Sequence, residues 1–155
     1  MSETHEFEAA EDAVVAALEP LKASGLLTLS TYAGELEVDD VAEITKRFPC
    51  IYVIAGGLTN KVVNRYDDAA VEIVLIVGDK NLRSPQAAAR GDAAGIGVYG
   101  LLALARRKLH RKPLLPGFAP LRVTAEQPLA YDSKRRICLY QATYRAEAPV
   151  NRTSQ

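Results

Sequence analysis

The chain is 155 residues long, and 19 lysines and arginines balance 19 aspartates and glutamates, so the formal net charge is zero. Charged residues at 25% and hydrophobic residues at 48% describe a globular domain large enough to bury its own core. The neutral balance argues against a general nucleic-acid binder, which would be basic. No apolar run reaches the roughly 18 residues of a membrane span.

The start of the chain is acidic, with Glu3, Glu6, Glu8, Glu11 and Asp12, where a secretory leader would be positive and then apolar. Residues 6 to 24 read as an amphipathic helix. Phe7, Ala10, Val14, Ala17, Leu18 and Leu21 recur at helical steps, acids fill the first turns, and Gly25 offers a left-handed stop. Leu26 to Tyr32 reads as a short strand. Asp39 or Asp40 then caps a predicted short helix through Arg47 that turns Val41, Ile44 and Phe48 inward.

Pro49 opens the run CIYVIAGG, apolar on both faces and so expected inside a sheet, with Gly56-Gly57 expected to break it. Residues 60 to 66 read as a weaker edge strand. Ala70 to Val77 is the second clear strand, placing Val71, Ile73, Leu75 and Val77 on one face. Ser84-Pro85 is a helix start, serine as cap and proline where its missing N–H costs nothing. After a break among Gly91, Gly95 and Gly97, a second helix is expected from about Ile96 to His110, burying Leu101, Leu102, Leu104, Ala105 and Leu109. A turn-rich PLLPGFAP connection leads to a hairpin, Leu121 to Tyr131 and Arg135 to Arg145, with Cys138, Tyr140, Ala142 and Tyr144 sharing a face. Helices interspersed with strands, the last two a hairpin, predict an α+β two-layer sandwich with a mostly antiparallel or mixed sheet. Residues 6–147 form the single expected domain, with residues 1–5 and 148–155 as flexible termini.

The chemistry-bearing patterns are weak. Gly95-Ile96-Gly97-Val98-Tyr99-Gly100 spells GxGxxG, but the preceding strand ends far upstream and no acid stands about 20 residues on, so close helix packing is the better reading. Cys50 and Cys138 read as small core hydrophobes in a reducing compartment. With His5 and His110 far apart in sequence they give no zinc spacing, and no cofactor or metal is expected. No nucleophile elbow is present, and His110 has no nearby acid to orient it, so the chain does not read as an enzyme.

Two basic clusters remain, Arg106-Arg107-Lys108 at a helix end and Lys134-Arg135-Arg136 at a hairpin tip. Each reads either as solvated surface or as a contact for an acidic neighbouring subunit or for DNA in a channel. Arg83, Arg90 and Asp92 likewise read either as local caps and ion pairs or as part of an inter-subunit surface.

The order of residues from Gly78 to Leu102, GDKNLRSPQAAARGDAAGIGVYGLL, resembles the middle of the tail terminators of Mu-like phages and prophages, and the resemblance extends more weakly over residues 8 to 146. It implies a curved, mostly antiparallel sheet with helices on one face. It also implies a ring of six copies that caps the tail tube, with tube, sheath and head-to-tail connector proteins as partners and passive contact with DNA in the channel. The expected places are the host cytoplasm during assembly and then the virion tail. The resemblance favours Arg83, Arg90 and Asp92 as candidate interface residues, and the basic clusters add Arg106, Arg107, Lys134 and Arg135. Another neck or tail-completion protein, or a small cytosolic ligand-binding domain, are the competing readings.

Overall fold

A computed structural model describes residues 6–32, 46–63, 66–81, 84–92, 96–132 and 136–147. The chain starts with α1 (Glu6–Leu18), which tightens into a 3-10 turn (Glu19–Ser24) instead of running on as α-helix to residue 24 as expected. The reason is Pro20, which lacks the N–H the α ladder needs and whose ring crowds the carbonyl one turn back. Gly25 takes the expected left-handed cap at φ 112°, its amide donating to the carbonyls of Leu21 and Lys22.

β1 (Thr28–Thr31) lies parallel to β2 (Cys50–Val63), and β2 turns back antiparallel into β3 (Tyr66–Lys80). Two helices follow, α2 (Pro85–Arg90) and α3 (Gly97–Leu109). The hairpin of β4 (Arg122–Asp132) and β5 (Ile137–Glu147) completes the fold. The five strands form one sheet in the order β1-β2-β3-β5-β4. The last strand is inserted beside β3, which leaves β4 at one edge and β1 at the other. The predicted α+β class, with helices layered on one face of a mixed sheet, is what the chain adopts.

One strand expectation was wrong. Gly56-Gly57 does not end β2: the register shifts between Gly56 and Thr59, and pairing then resumes to Val63 opposite Tyr66. Of the segment read as a separate edge strand, residues 60–63 are the far half of β2 and Tyr66 opens β3, which starts four residues before the expected Ala70. Glycine weakens a strand but accommodates an extra residue as a bulge, so the hairpin continues through it. Because β5 pairs with β3 only from Ala70 onward, the ribbon beyond Ala70 has no third strand among the described residues.

The main core fills the space between helices and sheet. Val14 and Leu18 of α1 and Leu101 and Leu109 of α3 meet Ile73, Leu75 and Val77 of β3 and Ala142 and Tyr144 of β5, all buried. The faces read from the period of two and of 3.6 residues are therefore the buried ones. On the reverse face Phe48, Cys50, Tyr52 and Ile137 make a smaller cluster, with Ile76 and Leu139 packed against it. The helix expected before Phe48 falls largely on residues 33–45, outside the described residues, but Phe48 itself is buried as predicted. Cys50 and Cys138 are both buried free thiols, and burial raises the Cys138 thiol to about 11. They lie in the two different clusters, on opposite faces of the sheet.

Candidate assembly surface

The segment that is most distinctive in sequence folds into a tight internal junction. Ser84 caps α2, its hydroxyl accepting the amide of Ala87 at 3.0 Å. The end of β3 supplies Asp79, 4% exposed, whose two carboxylate oxygens accept the amides of Lys80 at 2.7 Å and Gly97 at 3.1 Å. Burial holds the Asp79 carboxyl above the usual carboxylate range, against the lowering pull of those two amides. Gly97 sits at φ +80°, and a Cβ there would lie 2.3 Å from the backbone nitrogen of Gly91. Gly97 of the GxGxxG letters thus serves close backbone packing between the two helices, as the sequence suggested, while Gly95 lies outside the described residues. Asn81 donates from its amide to Asp92 at 3.0 Å, drawing the two ends of the α2 excursion together.

Of the expected interface residues, Asp92 therefore helps to close this junction. Arg90 is exposed in the last turn of α2. Arg106 forms a two-pronged ion pair with Glu126 of β4, one prong running from Nε at 3.3 Å. Arg107 is exposed one residue on. Arg83, Lys134 and Arg135 lie outside the described residues. The structure brings Arg106 and Arg107 together with Lys108, Arg111 and Lys112 around the C-terminal end of α3, and it sets Asp92 near the opposite end of the same helix. His110 at that C-terminal end accepts the amide of Val123 at 3.1 Å, tying the helix to β4.

The outer side of α3 and the edge strand β4 bound a shallow trough. One section, about 290 Å³, is lined by Tyr99, Leu102, Ala103, Arg106, Glu126 and Tyr140. The next, about 400 Å³ and open to solvent, is lined by Ala103, Arg106, Arg107, His110 and Lys112. The trough exists because β4 overhangs the helical layer: most of its residues are exposed on both faces of the strand. At its upper end Tyr99, Tyr131 and Tyr140 share hydroxyl contacts of 2.9 to 3.3 Å, with edge-on rings. Sequence reading missed this cluster, because its members come from α3, β4 and β5. The one available signal was Tyr99 on the polar side of a helix otherwise lined with leucine.

The opposite edge of the molecule has different chemistry. α1 lies over β1 and β2, and its exposed acids Glu8 and Asp12 share a flank with Glu11, which accepts the amide of Ala55 in β2 at 3.0 Å. Just before β1, Leu27 is 59% exposed.

Residues 7–145 match the protein family described as Bacteriophage Mu, Gp37. The chain belongs to that family. Membership makes it a protein of a Mu phage family, in keeping with the Mu-like resemblance of residues 78 to 102. Among solved structures, a chain in the virion of a native gene transfer agent particle is similar at 15% identity and a TM-score of 0.54, with 89% of this chain and 92% of that chain covered. At that identity the likeness concerns the fold: the α+β arrangement of this Gp37 family member also occurs in a virion component. No curated protein sequence matches the chain.

The clefts described above are open to solvent, and among the described residues no three of histidine, cysteine, aspartate and glutamate converge as a metal site. The side chains that stand out are tyrosine and arginine, the types enriched in the energetic centres of protein interfaces.

Proposed function

We propose that this Gp37 family member is a tail terminator: a subunit that closes into a ring of six, caps the growing tail tube, and offers its other face to the head-side connector. The observation that carries this reading is an open sheet whose two edge strands among the described residues, β1 and β4, carry unlike surfaces, in a chain of a Mu phage family. Unlike edges cannot satisfy one another by a two-fold contact. They associate head to tail, and a head-to-tail contact whose rotation closes makes a ring. Isolated subunits associate weakly and close at high concentration or on a tube end, since the exposed large apolar side chains among the described residues are few and split between the two edges of the sheet. Assembly takes place in the host cytoplasm beside tube and sheath proteins, and the mature location is the virion tail. Basic residues left on the inner wall of a ring would meet DNA only in passing.

The test is a prophage from which this gene is deleted, with particles examined by electron microscopy. A terminator defect gives overlong tails without heads, restored to normal length by the gene in trans. Tails of normal length that lack heads would overturn the reading in favour of a connector. Intact particles of normal length would remove any role in the tail.

A further inference from the structure

Resting on the ring reading, we infer that copies join through one specific contact: the α3–β4 trough of one copy receives the α1–β1 flank of the next. Three independent observations meet in this pairing.

The first is where the apolar surface lies. Among the described residues the exposed large hydrophobic side chains are Leu27, Tyr99, Leu129 and Tyr131. Leu27 stands at the β1 edge, Leu129 and Tyr131 are on β4, and Tyr99 leans on Tyr131 from α3. Among the described residues the exposed apolar surface therefore lies at the two edges of the sheet.

The second is charge. Arg107, Lys108, Arg111 and Lys112 are exposed around the end of α3, and none makes an ion pair with another described residue. Glu8 and Asp12 are equally exposed on α1 and equally unpaired among the described residues. Charges with internal partners behave differently: Lys22 is held by Glu19, Arg106 by Glu126 and Arg145 by Glu72. The unmatched cations gather on one edge and these unmatched acids on the other, the complementarity that fixes register between two copies.

The third is position. α1 covers β1 and β2, α3 covers β3, β5 and β4, and both lie on the same face of the sheet. The acidic and basic flanks are thus at one height on opposite edges of a single helical layer, so a neighbour placed edge to edge presents one to the other. Because β4 overhangs, the trough is open on the side from which that neighbour arrives.

The experiment uses the full chain and two charge-reversed variants, R107E/K108E and E8K/D12K. Self-association is followed by sedimentation across a concentration series, and folding by thermal melts. Each variant is expected to melt like the parent, since exposed charges away from buried features change stability little. Each alone is expected to associate about tenfold more weakly or worse, because like charges then face each other at every contact. Combining all four substitutions in one chain restores association, since each contact regains opposite charges with the signs exchanged. Mixing the two variants in equal amounts restores it as alternating rings. Rings from both single-flank variants at parental concentrations, or no rescue in the combined chain, would overturn the proposed contact while leaving the terminator reading intact. A parent chain that forms no ring either in solution or on tube ends would overturn both. A basic variant that assembles normally but loses DNA retention would reassign the end of α3 to DNA and also overturn the contact.

Discussion

The two sides of α3 follow opposite rules. Its first turn is welded in place, with the Gly97 amide on the buried Asp79 carboxylate and the Gly97 backbone against Gly91, closer than any Cβ allows. Its outer side, from Tyr99 to Arg107, faces an open trough whose far wall is an edge strand exposed on both faces. The welded end contains the letters that make this chain recognisable. The open side, built of residues ordinary in any helix, is the one free to meet another molecule. A distinctive local sequence therefore marks a demanding backbone geometry here, and the surface available for assembly is made of less conspicuous residues.

The comparison breaks most easily at the weld. Gly97→Ala adds a Cβ onto the Gly91 backbone and forces alanine to φ +80°, so stability should fall by about 3 kcal/mol, with the thermal midpoint lowered by roughly 9 °C. A denaturant melt reads this directly, and a loss under about 1 kcal/mol would mean that the junction yields more readily than its packing implies.

Asp79→Ala should cost about 2 kcal/mol, because it leaves the amides of Lys80 and Gly97 without their acceptor in a buried place. The same residue has a pH signature. Its folded pKa is raised above the ordinary 3.8, so the folded state holds the proton more tightly than the unfolded state. The contribution of Asp79 to stability is then largest below 3.8 and declines as pH rises through the raised value. Measured against Asp79→Asn in parallel melts, the parent should gain relative stability on acidification. A relative loss on acidification would show that the two amide hydrogen bonds outweigh burial.

The open side should tolerate change. Tyr140→Phe removes a hydroxyl that meets both Tyr99 and Tyr131, yet water can replace it at this exposed cluster, so the loss should stay below about 1 kcal/mol. Arg106→Ala breaks the ion pair with Glu126, but the arginine side chain is 50% exposed, and about 0.5 kcal/mol is the expected cost. If either variant unfolds the protein, the trough belongs to the core and the contrast between the two sides of α3 is lost.

Much of the frame was legible before any tertiary information. Ser84-Pro85 announced the start of α2 because capping acts within three residues, and the alternation from Val71 to Val77 announced the buried face of β3 because a strand has a period of two. Two misreadings have local causes. Pro20 was passed over at the end of α1, and Gly56-Gly57 was taken for a stop where it forms a bulge. The candidate surface was half legible. Arg106 and Arg107 stood out as a basic run, but Glu126, the partner of Arg106, lies 20 residues away. The tyrosine cluster joins residues as much as 41 positions apart, and no spacing rule reaches that far.

The sequence by itself determined where the helices begin, which faces of helices and strands are apolar, and that α2 and α3 meet through glycine. These depend on backbone preference and periodicity, which act over a few residues. Only the tertiary structure decided that β5 enters the sheet beside β3 and leaves β4 at the edge, and that Asp79 reaches the first turn of α3. It alone placed the unmatched bases and acids on opposite flanks. Those outcomes follow from long-range strand pairing and from which side chains burial leaves without partners, and both are set when the whole chain closes on one core.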